Sequence, residues 1–180
     1  MKETINDEIV SIAREYLGEK ELKGNSGFHD EEFERRMDAV GWKLGQAWCA
    51  YFSELVWKQA YNLWDATLFT RLDKLFSASA VETFKNFSKT KDFIVSNKPI
   101  KGALMVWRNY KNGKPHWTGH VGIVELVDHK NKRVVTIEGN SNSDGGREGI
   151  EVANQMRSIE IKEIQNGLVL LGFVWPKEIE

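Results

Sequence analysis

The stretch Gly45-Gln46-Ala47-Trp48-Cys49-Ala50-Tyr51-Phe52 runs out of a loop-forming glycine into the strongest helical pattern of the chain. From Ala47 to about Leu63, Phe52, Leu55, Val56 and Ala60 recur at the spacing of one helix face. Cys49 stands in the first turn, where unpaired N–H groups and the helix dipole favour a thiolate over a thiol. It is the one cysteine among 180 residues. An internal disulfide or a cysteine-rich metal site is therefore excluded, and Cys49 acts as a thiol.

Outward from this helix, the N-terminal side reads as two more. Thr4 to Leu17 places Ile5, Ile9, Ile12, Ala13, Tyr16 and Leu17 on one face, with Thr4 or Asn6 as cap and Gly18 as stop. A polar loop with Gly24, Asn25 and Gly27 leads to a short charged helix over Asp30 to Val40. Residues 65–100 carry one clear element, a helix over Ala78 to Phe87, and a turn at Asn97-Lys98-Pro99. Beyond Pro99 short apolar runs replace the helical period. Strands are expected over Gly102 to Trp107, His120 to Val127, Arg133 to Glu138, Ile150 to Arg157, Ile159 to Ile164 and Leu168 to Trp175. The segment from Trp107 to Trp117 reads as a loop leading to His120, and Gly139 to Gly149 as a Gly/Asn/Ser loop. Helices first and an antiparallel sheet after them is an α+β layout, expected as a single domain over residues 1–180.

Composition narrows the function. A chain 41% hydrophobic and 28% charged is an ordinary globular domain rather than a disordered one. With 25 basic against 26 acidic side chains, it lacks the basic excess of a nucleic-acid binder. No run approaches the roughly 18 apolar residues of a membrane helix, and Met1 to Glu8 lacks the apolar core of a secretory signal. A cytoplasmic, phage-released or otherwise exported monomer is expected. Four histidines without a His/Asp cluster at ligand spacing predict no metal site, and no cofactor is expected.

His120, in Trp117-Thr118-Gly119-His120-Val121-Gly122-Ile123-Val124, is flanked by glycines at the mouth of an otherwise apolar strand. Its ring is the candidate base for Cys49 and the proton donor to a leaving amine. A third group must orient the imidazole. The next strand ends in Thr136-Ile137-Glu138-Gly139-Asn140-Ser141-Asn142, and alternation puts residues 138, 140 and 142 on one face. If the hairpin pairs with an even index sum, His120 shares that face. An odd sum separates them unless a bulge near the glycines restores the match. Glu138 or Asn140 is then the orienting group.

Trp48-Cys49-Ala50 opening a helix, Gly119-His120-Val121-Gly122 opening a strand and Glu138-Gly139-Asn140 ending the next resemble the CHAP family of cysteine, histidine-dependent amidohydrolases and peptidases. These are papain-like relatives of NlpC-type peptidoglycan hydrolases. Tyr16-Leu17-Gly18-Glu19 with Glu21 and Gly24, and the loop from Asn140 to Gly149, also resemble bacterial and phage members, so the likeness spans roughly residues 5–175. The resemblance implies a papain-like fold, Cys49 as nucleophile, His120 as base, Glu138 as third member and Asn140 as a supporting polar group. The implied reaction is amide hydrolysis in bacterial peptidoglycan or its stem peptides, as an N-acetylmuramoyl-L-alanine amidase or a peptidase. The calcium loop of some members has no counterpart in Gly41-Trp42-Lys43-Leu44-Gly45, which carries no carboxylate. Gln46 is the candidate oxyanion donor, with the N–H of Cys49, although it lies closer to the cysteine than in papain-like enzymes generally. Trp48, Tyr110 and Trp117 are the candidate substrate contacts, forming aromatic cleft walls. Two other readings stand beside this one: an intracellular papain-like thiol hydrolase of a protein or small amide, and a non-catalytic wall-binding domain of the same fold.

Overall fold

The computed structural model describes residues 4–142, 149–162 and 164–179. Three helices form the N-terminal half: α1 (Ile5–Glu15), α2 (Glu31–Ala39) and α3 (Cys49–Trp64). Thr4 caps α1 in a reciprocal box with Asp7, and Asp30 caps α2 by accepting the Phe33 N–H at 2.7 Å. Along α3, buried residues occur on almost every face, from Cys49 through Trp57 to Tyr61. A helix apolar all round belongs at the centre of a fold, and α3 packs against α1 on one side and the sheet on the other.

Two further helices follow, α4 (Ala66–Leu75) and α5 (Ala80–Lys89). The sequence pattern shows α5 but not α4. The α4 signal is short: Asp65, accepting the N–H groups of Thr67 and Leu68, and two buried leucines, Leu68 and Leu72. Trp57, Phe76, Phe87 and Phe93 then interlock edge to face between α3, α5 and the adjoining loops.

The remaining chain forms β1 (Ile94–Ser96), β2 (Leu104–Lys111), β3 (Lys114–Asp128), β4 (Arg133–Ser141), β5 (Glu151–Ser158) and β6 (Gly167–Trp175). They make one antiparallel sheet in the order β1-β6-β2-β3-β4-β5. Two strand expectations are corrected. Trp107 to Trp117 is not a loop: Asn112 and Gly113, with φ of 51° and 71°, make a two-residue turn that joins β2 to β3. Ile159 to Ile164 is not a strand among the described residues. β5 is the sheet edge, and Ile159 adds one last backbone bond, to Lys132 O at 3.1 Å, after which Ile161 stands exposed. Of the 139–149 loop, residues 143–148 lie outside the described residues.

The sheet has two apolar faces. Leu104, Val106, Val121, Ile123 and Ile137 join the helical core, while Met105, Trp107, Val124, Val134 and Phe173 form a second cluster on the opposite face. That face curls on itself. Arg157 of β5 lies 5.3 Å from the ring of Trp107 on β2, although two strands intervene and a flat sheet would hold β2 and β5 about 14 Å apart. Helices on one side of a curled antiparallel sheet make the α+β, papain-like arrangement. No described helix is long and apolar enough to cross a membrane.

Candidate active site

The start of α3 meets two interior strands of the sheet, β3 and β4, near the Gly139 end of β4. Gly139 makes that approach possible: a Cβ there would lie 2.7 Å from both Phe52 Cβ and Trp48 Cζ3. Asn140, the next residue, holds a left-handed φ of 55° and fastens the junction. Its Oδ1 accepts the Trp48 N–H at 2.8 Å, and its Nδ2 donates to Gly149 O at 2.8 Å.

Cys49 is the first residue of α3, buried beside His120. Register explains how His120 faces Glu138. Near the turn, Asp128 pairs with Arg133 and Val127 with Val134, an odd sum that would put the two on opposite faces. A bulge between Val124 and Leu126 inserts one residue, so that Val124 pairs with Thr136 and Ile123 with Ile137. The match is restored at Glu125 rather than near the glycines. Glu125 uses the displacement to meet Arg14 of α1 at 2.6 Å and Asn154 of β5 at 2.6 Å.

His120 Nε2 lies 2.7 Å from Glu138 Oε2, which leaves Nδ1 for the Cys49 sulfur. Gly122 lets the carboxylate lie across β3, because a Cβ there would come within 2.6 Å of Glu138 Cγ. Glu138 is 0% exposed and fully engaged. Oε1 accepts from the Thr136 hydroxyl at 2.5 Å and from Arg157 Nε at 2.7 Å, and Oε2 accepts from Arg157 Nη2 at 2.5 Å. Trp107 stacks on the His120 ring at 5.8 Å and 29°.

Electrostatics follow from these contacts. Burial penalises the Cys49 thiolate, yet the His120 charge, its hydrogen bond and the N–H groups of Val121 and Ala50 together hold the thiol below its ordinary range. Burial also opposes the His120 imidazolium, but the Glu138 carboxylate and the Cys49 sulfur raise its basicity well above the usual value. Glu138 itself is pulled down to about 2, against burial, by His120 and Arg157. The arrangement favours a thiolate–imidazolium pair braced by a carboxylate.

The pair opens on a cleft of about 470 Å³. Ala47, Gly119 and His120 line it together with Glu21, Lys23 and Asn25 of the loop between α1 and α2. Asn25 holds a φ of 54°, and its Oδ1 is buried without a hydrogen-bond partner. A roomier hollow of about 630 Å³ lies at the β3–β4 turn, around Leu126, Val134 and Met156, away from any nucleophile. Among the described residues no group of three or more His, Cys, Asp and Glu side chains is placed to hold a metal ion.

The peripheral candidates fall elsewhere. Trp48 is no cleft wall: its ring is 0% exposed, packed edge-on against Phe28 and Phe52, with Nε1 on Glu21. Tyr110 borders a separate hollow with Gly113 and Val169, because β2 continues past Trp107 and carries it away. Trp117 is 73% exposed beside His116 and does not line the cleft. Gln46 Oε1 accepts from Lys43 N–H at 3.0 Å and from the Tyr51 hydroxyl at 2.9 Å, so its amide is turned into its own loop. In place of the expected aromatic walls, the cleft is lined by a mixture of polar side chains, glycines, Ala47 and Ile150. Sequence reasoning missed Arg157 and Gly122. Gly122 stood in the quoted motif, but its place opposite Glu138 depends on the bulge at Glu125, which the local sequence does not mark. Arg157 had no signal, since its register depends on the chain between β4 and β5.

No curated protein and no solved structure matches the chain. The CHAP domain pattern matches residues 41–140, more than half of the chain and the segment that carries Cys49, His120, Glu138 and Asn140. With that match over this fold, the chain belongs to the CHAP domain family, a family of amidase- and peptidase-type hydrolases.

Proposed function

We propose that residues 1–180 form a single catalytic domain that hydrolyses an amide bond in the peptide part of bacterial peptidoglycan through an acyl-thioester on Cys49. One observation carries the reading: a thiol at a helix start beside a histidine whose far nitrogen rests on a fully buried carboxylate. A binding domain has no need of a buried charge held in that way.

The Cys49 thiolate attacks the carbonyl carbon, and the C=O π pair moves onto oxygen. The helix-start N–H of Cys49 faces that developing charge. Collapse of the tetrahedral intermediate breaks the C–N bond while imidazolium His120 gives its proton to the leaving amine. Water then attacks the thioester, giving its proton to His120, and collapse releases the carboxylic acid and restores the Cys49–His120 pair. Glu138 holds the ring throughout. Asn140 acts at one remove, tying the helix start to the strand end. The cleft, edged by Glu21, Lys23, Asn25 and Asn140, matches a stem peptide, which is rich in amides and carboxylates and poor in large apolar side chains.

Digestion of purified sacculi, read by mass spectrometry, tests the proposal. The wild type is expected to release fragments with one new amine and one new carboxyl per cut, and Cys49→Ala to release none while keeping its circular dichroism spectrum. Identical products from both proteins would remove Cys49 from the chemistry.

A further inference from the structure

Glu138 is held by more than the histidine it faces. Arg157 reaches it from the edge strand β5 with two parallel bonds, Nε to Oε1 at 2.7 Å and Nη2 to Oε2 at 2.5 Å. The guanidinium also lies over Trp107 at 5.3 Å, the same indole that stacks on His120. Two planar groups therefore contact one indole, and the carboxylate bridges them. Lysine could supply the charge but neither the fork nor the stacked plane.

We propose that Arg157 is a positioning residue: its guanidinium fork fixes the Glu138 carboxylate so that Oε2 stays on His120 Nε2 and Nδ1 stays aimed at the Cys49 sulfur. The assignment rests on the reading of Cys49 and His120 as nucleophile and base. Among the described residues, the charged and titratable groups facing this cluster are Cys49 from α3, His120 from β3, Glu138 from β4 and Arg157 from β5.

Positioning and simple charge neutralisation predict opposite signs. A cation near His120 disfavours a second positive charge, so removing Arg157 as a charge alone makes the imidazole more basic. Removing it as a fork lets the carboxylate turn away, and the imidazole loses its anchored anion and becomes less basic. An opposite charge at this range is worth about one to three pH units, so the loss is large enough to read.

The test uses the whole chain as wild type, Arg157→Met and Arg157→Lys. The His120 ring is titrated by ¹⁵N NMR, and Cys49 by its rate of alkylation with iodoacetamide across pH. In both variants the His120 midpoint is expected to fall by about one unit, a tenfold change in its acidity constant, and the Cys49 midpoint to rise. A His120 midpoint that stays or rises in Arg157→Met overturns the assignment, as does a wild-type midpoint in Arg157→Lys, which would show that charge suffices. Should Arg157→Met fail to fold, the lysine variant decides alone. Neither readout needs a wall substrate. Shifted midpoints in a protein whose wild type leaves sacculi intact would overturn the peptidoglycan reading and leave Arg157 standing. Normal digestion with unshifted midpoints would overturn Arg157 alone.

Discussion

At the scale of single residues, Glu138 concentrates the physical argument of the site. Its carboxylate is 0% exposed, and ionising it there is tolerated because four donor contacts from His120, Thr136 and Arg157 replace water. Removing one partner of such a buried pair leaves the other charge uncompensated, at a cost of about 3–5 kcal/mol. Arg157 keeps 30% of its side chain exposed and so stays partly solvated; Glu138→Gln is therefore expected to destabilise the fold by less than that, about 1–3 kcal/mol in urea denaturation, because Arg157 then faces a neutral amide. It is also expected to lower kcat/KM on released muropeptides by about 10²–10⁴-fold, because the carboxylate that holds the imidazole in its tautomer and orientation is lost. Retained stability would mean that Arg157 finds another anion or water when the carboxylate is gone. Cys49 and His120 were legible as a pair from their residue types and flanking glycines. The choice between Glu138 and Asn140 was not, since alternation puts both on one face and only the register separates a diagonal neighbour from one tied to Trp48 N–H and Gly149 O.

At the scale of elements, the capped amphipathic helices could be read because cap and periodicity agree within one short window, as in Thr4 with Ile5, Ile9 and Ile12. What could not be read depends on partners distant in sequence. The bulge at Glu125 answers to Arg14 on α1 and Asn154 on β5, and nothing local in Val124-Glu125-Leu126 marks it. The β2–β3 hairpin carried a local signal in Asn112-Gly113, but the flanking Tyr110-Lys111 and Lys114-Pro115 are too polar to read as strands. The contact between α3 and β4 is the element-level feature the site cannot do without. Its close approach depends on Gly139, whose added Cβ would meet Phe52 Cβ and Cγ and the Trp48 ring, both side chains fully buried. Gly139→Ala is expected to cost about 1–3 kcal/mol by overpacking. It should also lower kcat more than KM, because β4 can yield only by lifting Glu138 relative to the helix that carries Cys49. An alanine variant with wild-type stability and kcat would mean that the helix and strand are not held at contact distance.

At the scale of the whole molecule, near-zero net charge leaves stability against pH to a few buried groups rather than to general repulsion. Glu138 is depressed to about 2 in the fold from 4.5. Its contribution is complete above about 4.5 and is lost as pH falls through 2. His120 is raised, so its contribution is complete below its ordinary value near 6.5 and is lost on the alkaline side. Cys49, held below its ordinary value, gains over much of that alkaline range, and the two offset each other because each depends on the other's charge. Glu54, buried on α3 outside the cleft, has no such offset. Burial, only partly opposed by Lys58, raises its carboxyl to about 7 from 4.5. A raised carboxyl ionises first in the unfolded chain, so stability falls as pH climbs from about 4.5 through 7 and stays lower above it. Glu54→Gln keeps the shape and removes the ionisation. It is expected to come within about 0.5 kcal/mol of the wild type at pH 4.5, where the folded carboxyl is neutral and the unfolded one only half ionised, and to exceed it by about 1–3 kcal/mol at pH 8. Urea denaturation of the two proteins at those pH values decides the matter, and an equal difference at both would assign the effect to packing rather than to the carboxyl's charge.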